Sequence, residues 1–452
     1  MNKLQMYPVL SKEFSISNVI TEKGDNMLIY NTATKVKARP NEATYEFAKR
    51  CRGDKTLEEI ITALSRLSGE LPDKIQESLL PLIKTMEGNG MIFFAPSPLT
   101  PPRPGPCEVK LSKRLQGVSI EVTRQCNLHC KHCYSNSGAR RENELTTEEI
   151  KRLIDELANT GVLNILVTGG EPLLHPDLFD IIKYIRSKPM SCMLFTNGTL
   201  VTEEIVNTLK ELGVLSVTVS MDGATPETHD AFRGGKSFEK VVKAIKLLKE
   251  AGIPIKINVS LHKGILGEIS DLLTLFEKWE IKEYFLGPIT YTGRPEEPDC
   301  TITPEEYKKV LKQVKEYEIS VGRAKKKLPY FPELITCGIG MGNLTVRGNG
   351  NVTPCITFPD DISLGNIREV RIAEIWNNSP VLNKMRRINA SENEKCKECI
   401  HIKVCGGGCI ADHYRRTGEL GCGDPFECAY FEVYDEYTPV EIDEQYLPLE
   451  IR

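Results

Sequence analysis

Residues 117–138 read GVSIEVTRQCNLHCKHCYSNSG, an apolar, β-branched run followed by Cys126, Cys130 and Cys133 at spacings of four and three residues. The run over 117–123 predicts a strand, and the thiols fall directly after it. Similar runs recur as LNILVTG (163–169), SCMLFTN (191–197), VLSVTVS (214–220), IPIKINVS (253–260) and KEYFLGP (282–288), with helical segments between them. One such helix starts at a capping box, Thr146 with Glu149, and carries Ile150, Leu153, Ile154 and Leu157 on one face. Strand and helix repeated in this way predict an α/β fold, a partial (β/α)6 TIM-type barrel over residues 117–325. Chemistry in such a fold belongs at the C-terminal ends of the strands, where the three cysteines lie.

Zinc sites usually take about four ligands, often as two CxxC pairs, whereas this stretch offers three thiols with no fourth nearby. A structural zinc knuckle, completed by His129 or His132, is one reading. An iron-sulfur cluster with one iron left free of protein ligands is the other.

At 452 residues the chain is long enough for two to four domains. Its 58 Lys and Arg against 62 Asp and Glu give no polycationic surface for nucleic acid or an anionic membrane. No basic segment followed by an apolar run opens the sequence and no apolar stretch has membrane-spanning length, so a cytoplasmic location is expected. In that compartment clustered cysteines bind metal more often than they pair. Of the 15 cysteines, eight lie from Cys337 to Cys428, while Cys51, Cys107, Cys192 and Cys300 stand alone and read as buried structural thiols. Cys107 and Cys300 are the two of these worth testing.

Residues 95–106, APSPLTPPRPGP, hold six prolines, and 96–116 read as a Pro-rich linker. Before it, residues 14–31 suggest two strands around a Gly24-Asp25-Asn26 turn, two amphipathic helices follow, and MIFF (91–94) is a last strand. Residues 1–95 therefore form a winged-helix-like α+β domain, yet their 13 basic and 12 acidic residues lack the footprint of a DNA binder. After about Pro329 glycine and cysteine become dense and Asn349-Gly350 reads as a hairpin turn. Residues 326–440 are read as a loop-rich domain held by its metal ligands, and 441–452 as a tail.

CxxxCxxC followed by Tyr134 resembles the motif of radical S-adenosylmethionine enzymes. In that family the cofactor's amino and carboxylate groups chelate the free iron of a 4Fe-4S cluster, and an electron cleaves the cofactor to methionine and a 5'-deoxyadenosyl radical. The resemblance extends to Gly169, Gly170, Glu171 and Pro172 (GGEP), which match the family's site for the cofactor's amino group. It extends to Asn197, Ser220 and Asp222 at later strand ends, which match ribose contacts, although TNG at 196–198 is equally a structural turn. Arg233 matches a carboxylate-binding position, and Asn258 is a further candidate that a sheet-end cap explains as well.

The C-terminal cysteines, with CKECIHIKVCGGGC at 396–409, resemble the auxiliary-cluster domain called SPASM, against a zinc-ribbon alternative. That resemblance implies two auxiliary 4Fe-4S clusters, three clusters in all. Cys396, Cys399, Cys405 and Cys428 would hold one, and Cys337, Cys355 and Cys409 the other, leaving either Cys422 or a substrate thiolate as the fourth ligand. Residues 1–95 resemble a precursor-peptide recognition element, which adds a leader-peptide strand to its sheet edge. Together the three parts are similar to sactipeptide and ranthipeptide maturases, implying a peptide substrate, a thioether product and a reductant such as ferredoxin or flavodoxin. Carbon-carbon crosslinking or another peptide oxidation, haem-synthesis decarboxylation, and a non-enzymatic zinc-ribbon and winged-helix binding protein are the alternatives.

Overall fold

A computed structural model describes residues 2–289, 293–294, 300–323, 327–330, 337–435 and 438–441, with backbone alone at 327–330 and 438–441. The expected boundary at 325/326, and the expected tail after residue 441, lie outside the described residues. The chain divides into two units: Met1–Ser112 with Leu157–Leu163 and Ser187–Ser191, and the remainder.

The first unit contains β1 (Tyr7–Leu10), β2 (Phe14–Thr21), β3 (Gly24–Asn31), β4 (Lys37–Ala38), α1 (Glu42–Ala48), α2 (Leu57–Ser68), α3 (Pro72–Gly88), β5 (Ile92–Ala95) and β6 (Cys107–Lys110). β2 and β3 pair from Phe14↔Asn31 to Thr21↔Gly24. The hairpin therefore turns at Glu22-Lys23, and Gly24-Asp25-Asn26 opens β3 instead of forming the expected turn. Thr21 closes it: its hydroxyl accepts from the Lys23 N–H and donates to the Gly24 carbonyl, both at 3.3 Å. α2 begins at a capping box of Thr56 and Glu59 and ends at Gly69 in the left-handed region. Its buried Ile60, Ile61 and Leu64 pack with Phe47, Leu79 and Ile83 into one apolar core, which completes the expected helix-and-hairpin layout.

The stretch expected as linker, 96–116, is more than a spacer. β6 lies inside it and pairs in parallel with β2 from Ser17↔Cys107 to Ile20↔Lys110, giving a sheet of order β4-β3-β2-β6. Cys107 also gives its thiol hydrogen to the Asn159 carbonyl at 3.0 Å, a structural use of that cysteine. The prolines end before Cys107, so nothing in its backbone forbids a strand.

The second unit is built on six parallel strands: β7 (Gly117–Glu121), β8 (Asn164–Thr168), β9 (Ser191–Thr196), β10 (Ser216–Ser220), β11 (Ile255–Leu261) and β12 (Glu283–Pro288). Between and after them run α4 (Thr147–Asn159), α5 (Leu178–Ser187), α6 (Glu203–Glu211), α7 (Pro226–Arg233), α8 (Phe238–Glu250), α9 (Ile269–Lys278) and α10 (Pro304–Ser320). The Thr146–Glu149 capping box forms as expected, and Ile150, Leu153, Ile154 and Leu157 are buried. The sheet is open, a partial barrel. Val217 and Val219 alternate with Ser216, Thr218 and Ser220, and the register sets the last two opposite Lys256 and Asn258 of β11, so one face is apolar and the other polar.

Beyond a backbone-only β13 (Lys327–Tyr330), the sheet resumes with β14 (Asn343–Val346) parallel to β7, then β15 (Asn351–Thr353) and β16 (Gly365–Asn366) antiparallel. The expected hairpin is present, with a loop over 347–350 that closes through Gly350 at φ 86°. α11 (Ile372–Asn378), α12 (Pro380–Met385), α13 (Ile402–Cys405), α14 (Ile410–Thr417), α15 (Pro425–Val433) and β17 (Thr438–Glu441) complete the described chain. This part is not held by cysteines alone, because Ile339, Phe358, Met385, Ile410 and Ala411 form a small core of their own.

Candidate active site

Past β7 the chain makes a loop whose neck is tied by the Cys126 N–H to Gly138 carbonyl bond at 2.8 Å and the Gly138 N–H to Arg124 carbonyl bond at 3.1 Å. Cys126, Cys130 and Cys133 sit half-buried within it. Each sulfur meets a donor: the Leu128 N–H is 3.5 Å from Cys126 Sγ, Arg233 Nη1 is 4.0 Å from Cys130 Sγ, and the Ser137 N–H is 3.3 Å from Cys133 Sγ. Burial pushes the Cys126 thiol up and Cys130 up to about 11, and Cys130 also feels the charges of Cys126 and Cys133. Three thiols with N–H donors aimed at them fit a cluster whose potential is set by hydrogen bonds to its sulfurs.

Gly169 and Gly170 lie against this loop. A Cβ on Gly169 would sit 2.4 Å from the Thr123 carbonyl oxygen, and one on Gly170 2.4 Å from the Gln125 oxygen. The glycines thus permit close approach of β8's end to the chain leading into Cys126. Glu171 is fully buried, and its carboxylate accepts from the Asn197 N–H at 2.7 Å, the Thr196 hydroxyl at 2.8 Å and the Leu173 N–H at 3.1 Å. Burial raises its pKa, partly offset by these bonds. Three of its acceptor positions already serve the protein, joining the ends of β8 and β9, and Pro172 opens a 3-10 turn after it. The Asn197 amide donates to Asn127 Oδ1 at 3.0 Å and lies 3.9 Å from Cys126 Sγ, so its side chain holds the cysteine loop.

Asp222 and Arg233, expected at two different groups of a cofactor, pair with each other: Arg233 Nε donates to Asp222 Oδ2 at 2.7 Å, with both side chains buried. The Ser260 N–H donates to the other oxygen at 2.7 Å. Burial pulls the Asp222 pKa upward, but Arg233 and then His132 outweigh it and hold the carboxylate below its usual range. His132, considered from sequence only as a possible zinc ligand, is instead part of this group. Its Nε2 lies 3.4 Å from Asp222 Oδ2, and its ring stacks on Phe232 at 4.5 Å, which in turn stacks on His262 at 3.7 Å. Ser220 and Asn258 are cross-strand partners on β10 and β11, half-buried, with no protein hydrogen-bond partner for either side chain among the described residues. Their polar atoms are therefore open to a bound ligand.

Two features carry no sequence signal. Arg294 donates to the Cys130 carbonyl at 2.7 Å and to the Ser137 carbonyl, while its own N–H bonds the Cys133 carbonyl at 2.9 Å. Gly293 beside it admits no Cβ, which would fall 2.3 Å from that same Cys133 oxygen. Glu121, at the end of β7, is fully buried between Arg124 at 3.2 Å and Arg347 at 2.9 Å, and Asp360 bridges the same two arginines. This network joins the cysteine loop after β7 to the segment that follows Cys355.

Among the C-terminal cysteines, Cys337, Cys355 and Cys409 pack around the small core of Ile339, Phe358 and Ile410, and Cys409 feels the other two. Cys428 feels Cys396 and Cys399. Cys396, Cys422 and Cys428 line a cavity of about 480 Å³. Cys405 ends α13, half-buried. Among the described residues, no three or more His, Cys, Asp or Glu side chains are grouped so as to hold a single metal ion. Cys51 and Cys192 are buried core thiols. No described helix is long and apolar enough to cross a membrane.

Residues 120–275 match the radical SAM superfamily model and residues 337–400 the model of an iron-sulfur cluster-binding domain. The AdoMet-dependent heme synthase of Methanosarcina barkeri is 35% identical over 340 residues, 69% of this chain and 96% of that protein. The antilisterial bacteriocin subtilosin biosynthesis protein AlbA of Bacillus subtilis is 30% identical over 380 residues, 81% of this chain and 83% of that protein. Streptococcus suis SuiB, solved bound to its precursor peptide SuiA, shares the fold with a TM-score of 0.65 at 14% identity, over 92% of this chain and 99% of that one. The cysteine loop after β7, the glycines packed against it and these likenesses lead to one conclusion: the chain belongs to the radical SAM superfamily and carries a C-terminal iron-sulfur cluster-binding domain.

Proposed function

We propose that the chain is a peptide maturase that removes hydrogen from a carbon of a ribosomally made precursor peptide and joins that carbon to a cysteine sulfur, forming an intramolecular thioether. The observation that carries this is the extent of the likenesses. The match to the subtilosin protein AlbA spans 81% of the chain against 69% for the heme synthase, and the fold of peptide-bound SuiB spans 92%. The first unit suits a docked peptide strand: it carries a sheet of order β4-β3-β2-β6 whose outer strand β4 is two residues long and pairs with β3 at Ile29 and Tyr30.

Bound at Cys126, Cys130 and Cys133, a 4Fe-4S cluster with S-adenosylmethionine supplies the hydrogen-abstracting radical. In this reading Leu128, Ser137 and Arg233 orient the thiolates, Arg294 holds the loop's carbonyls, and Ser220 and Asn258 bind the cofactor's polar groups. Glu171, Asn197 and Asp222 chiefly fix the loops around it. Cys396, Cys399, Cys405 and Cys428 would hold one auxiliary cluster and Cys337, Cys355 and Cys409 a second, and a ferredoxin or flavodoxin would deliver the electron. Replacing Cys126, Cys130 and Cys133 together by Ala should abolish reductive cleavage of S-adenosylmethionine, and persistent 5'-deoxyadenosine would refute the assignment. A haem-synthesis reaction is the second reading, favoured by the 35% identity to the heme synthase. Supplying the enzyme with porphyrin and peptide in turn separates the two.

A further inference from the structure

We propose that Arg347 and Asp360, on either side of Cys355 in the sequence, are positioning residues for the radical site: with Glu121 and Arg124 they form a ring of four charges that holds the cysteine loop after β7 against the segment carrying Cys355. The proposal rests on the reading that Cys126, Cys130 and Cys133 hold the radical-site cluster.

The ring closes on all four sides. Glu121 Oε1 lies 2.9 Å from Arg347 Nη1 and Glu121 Oε2 3.2 Å from Arg124 Nε. Asp360 Oδ2 lies 2.6 Å from Arg124 Nη2, and Asp360 Oδ1 3.4 Å from Arg347 Nε. The side chains of Glu121, Arg124 and Arg347 are at most 3% exposed, and only Asp360 reaches solvent, at 49%. Taking such charges out of water often stabilises a fold no better than packed apolar side chains would. What a ring of ion pairs adds is direction, because a guanidinium edge and a carboxylate meet in a restricted geometry.

The ring is anchored at both ends on a cysteine-bearing segment. Arg124, two residues before Cys126, accepts the Gly138 N–H on its carbonyl at 3.1 Å and donates its own N–H to Glu144 Oε1 at 2.8 Å. The residue that closes the neck of the cysteine loop is thus the one whose side chain enters the ring. On the far side Arg347 Nη2 donates to the Ile356 carbonyl at 3.1 Å and the Phe358 carbonyl at 2.6 Å, directly after Cys355. Arg415, on the helix that begins after Cys409, takes the Thr357 carbonyl between them at 2.6 Å. Three successive carbonyls are therefore held by arginines. The Gly348 N–H donates to Glu121 Oε2 at 3.1 Å and ties the β14–β15 loop to the same carboxylate. The Cys126 neck and the Cys355 segment share one set of bonds, so the position of one sets that of the other.

The test follows amide hydrogen exchange by mass spectrometry in the full chain, before and after anaerobic reconstitution, for the parent, Asp360→Asn and Arg347→Lys. Asp360→Asn keeps the side chain's shape at a half-exposed position and removes its charge. Arg347→Lys keeps the charge, but one ammonium cannot span the two carboxylates and two carbonyls that the guanidinium reaches. In both variants the amides of 124–138 should exchange several-fold faster than in the parent, with those of β9 to β11 unchanged. After reconstitution the reduced electron paramagnetic resonance spectrum of each variant should respond to S-adenosylmethionine only at several-fold higher concentration. In Asp360→Asn, faster exchange confined to 343–360 with 124–138 as in the parent would overturn the proposal, and so would faster exchange throughout β7 to β12, the mark of general destabilisation. Absence of iron and sulfide from the reconstituted parent would overturn the cluster reading, and is told apart from failure of the ring because the exchange pattern is read without iron.

Discussion

Replacing Gly170 by Ala separates two roles for the glycines that precede Glu171. If they served only to let a cofactor approach, the protein without cofactor would be indifferent to a methyl group there. The structure gives a different expectation. The new Cβ would lie 2.4 Å from the Gln125 carbonyl oxygen and 2.8 Å from that of Arg124, and must retreat to 3.0 Å or more. The obstructing atoms are backbone, one and two residues before Cys126, so the chain bearing the first thiol has to move. Overpacking of this kind costs about 1–3 kcal/mol, a fall of at least a few degrees in melting temperature. Gly138→Ala is the control: it lies at the other side of the same neck, at a φ outside the positive range, and its Cβ would meet nothing within 4 Å. Thermal melts of both variants without iron or S-adenosylmethionine should show Gly170→Ala destabilised and Gly138→Ala close to the parent. After reconstitution Gly170→Ala should also hold less iron. Equal melting of the two variants would refute the packing argument.

Other outcomes follow from the same site. Asp222→Asn leaves the buried Arg233 guanidinium without its charge partner and should destabilise the chain by about 3–5 kcal/mol in urea unfolding. Ser220→Ala and Asn258→Ala should each weaken S-adenosylmethionine binding by about tenfold in calorimetry while leaving the melting temperature unchanged, because each removes one ligand hydrogen bond and no protein bond. His229 is held at about 4 by burial, its Nδ1 accepting from the Asp222 N–H at 3.2 Å. The unfolded chain then binds more protons than the folded one between about pH 6.5 and pH 4, so stability is lost as pH falls through that window, and His229→Asn should flatten the loss. Arg294→Ala should lower iron retention at Cys126, Cys130 and Cys133 and leave the auxiliary clusters' spectrum intact.

The six barrel strands were legible because each is a short β-branched run between helical segments, a pattern that sheet burial itself imposes. The cysteine loop was legible because thiol spacing within one loop is local. What escaped was non-local. Arg294 bonds carbonyls 157 and 164 residues away, and nothing in TGRP distinguishes it from a solvated loop arginine. Glu171 could be read as an acceptor, but sequence cannot say whether the donor is a ligand's ammonium or the Asn197 N–H. Asp222 and Arg233 were each assigned a separate ligand group, and only the fold shows that they lie 2.7 Å apart. β6 escaped because four residues beside a proline-rich stretch carry too little periodicity to reveal a strand that pairs with β2.

The most direct measurement is mass spectrometry of a cysteine-containing peptide encoded beside the gene, incubated anaerobically with the reconstituted full chain, S-adenosylmethionine and a reductant. The expected product has lost two hydrogens and its free thiol, and it appears together with 5'-deoxyadenosine. An unmodified peptide under conditions where the same enzyme decarboxylates a porphyrin would contradict the proposed function.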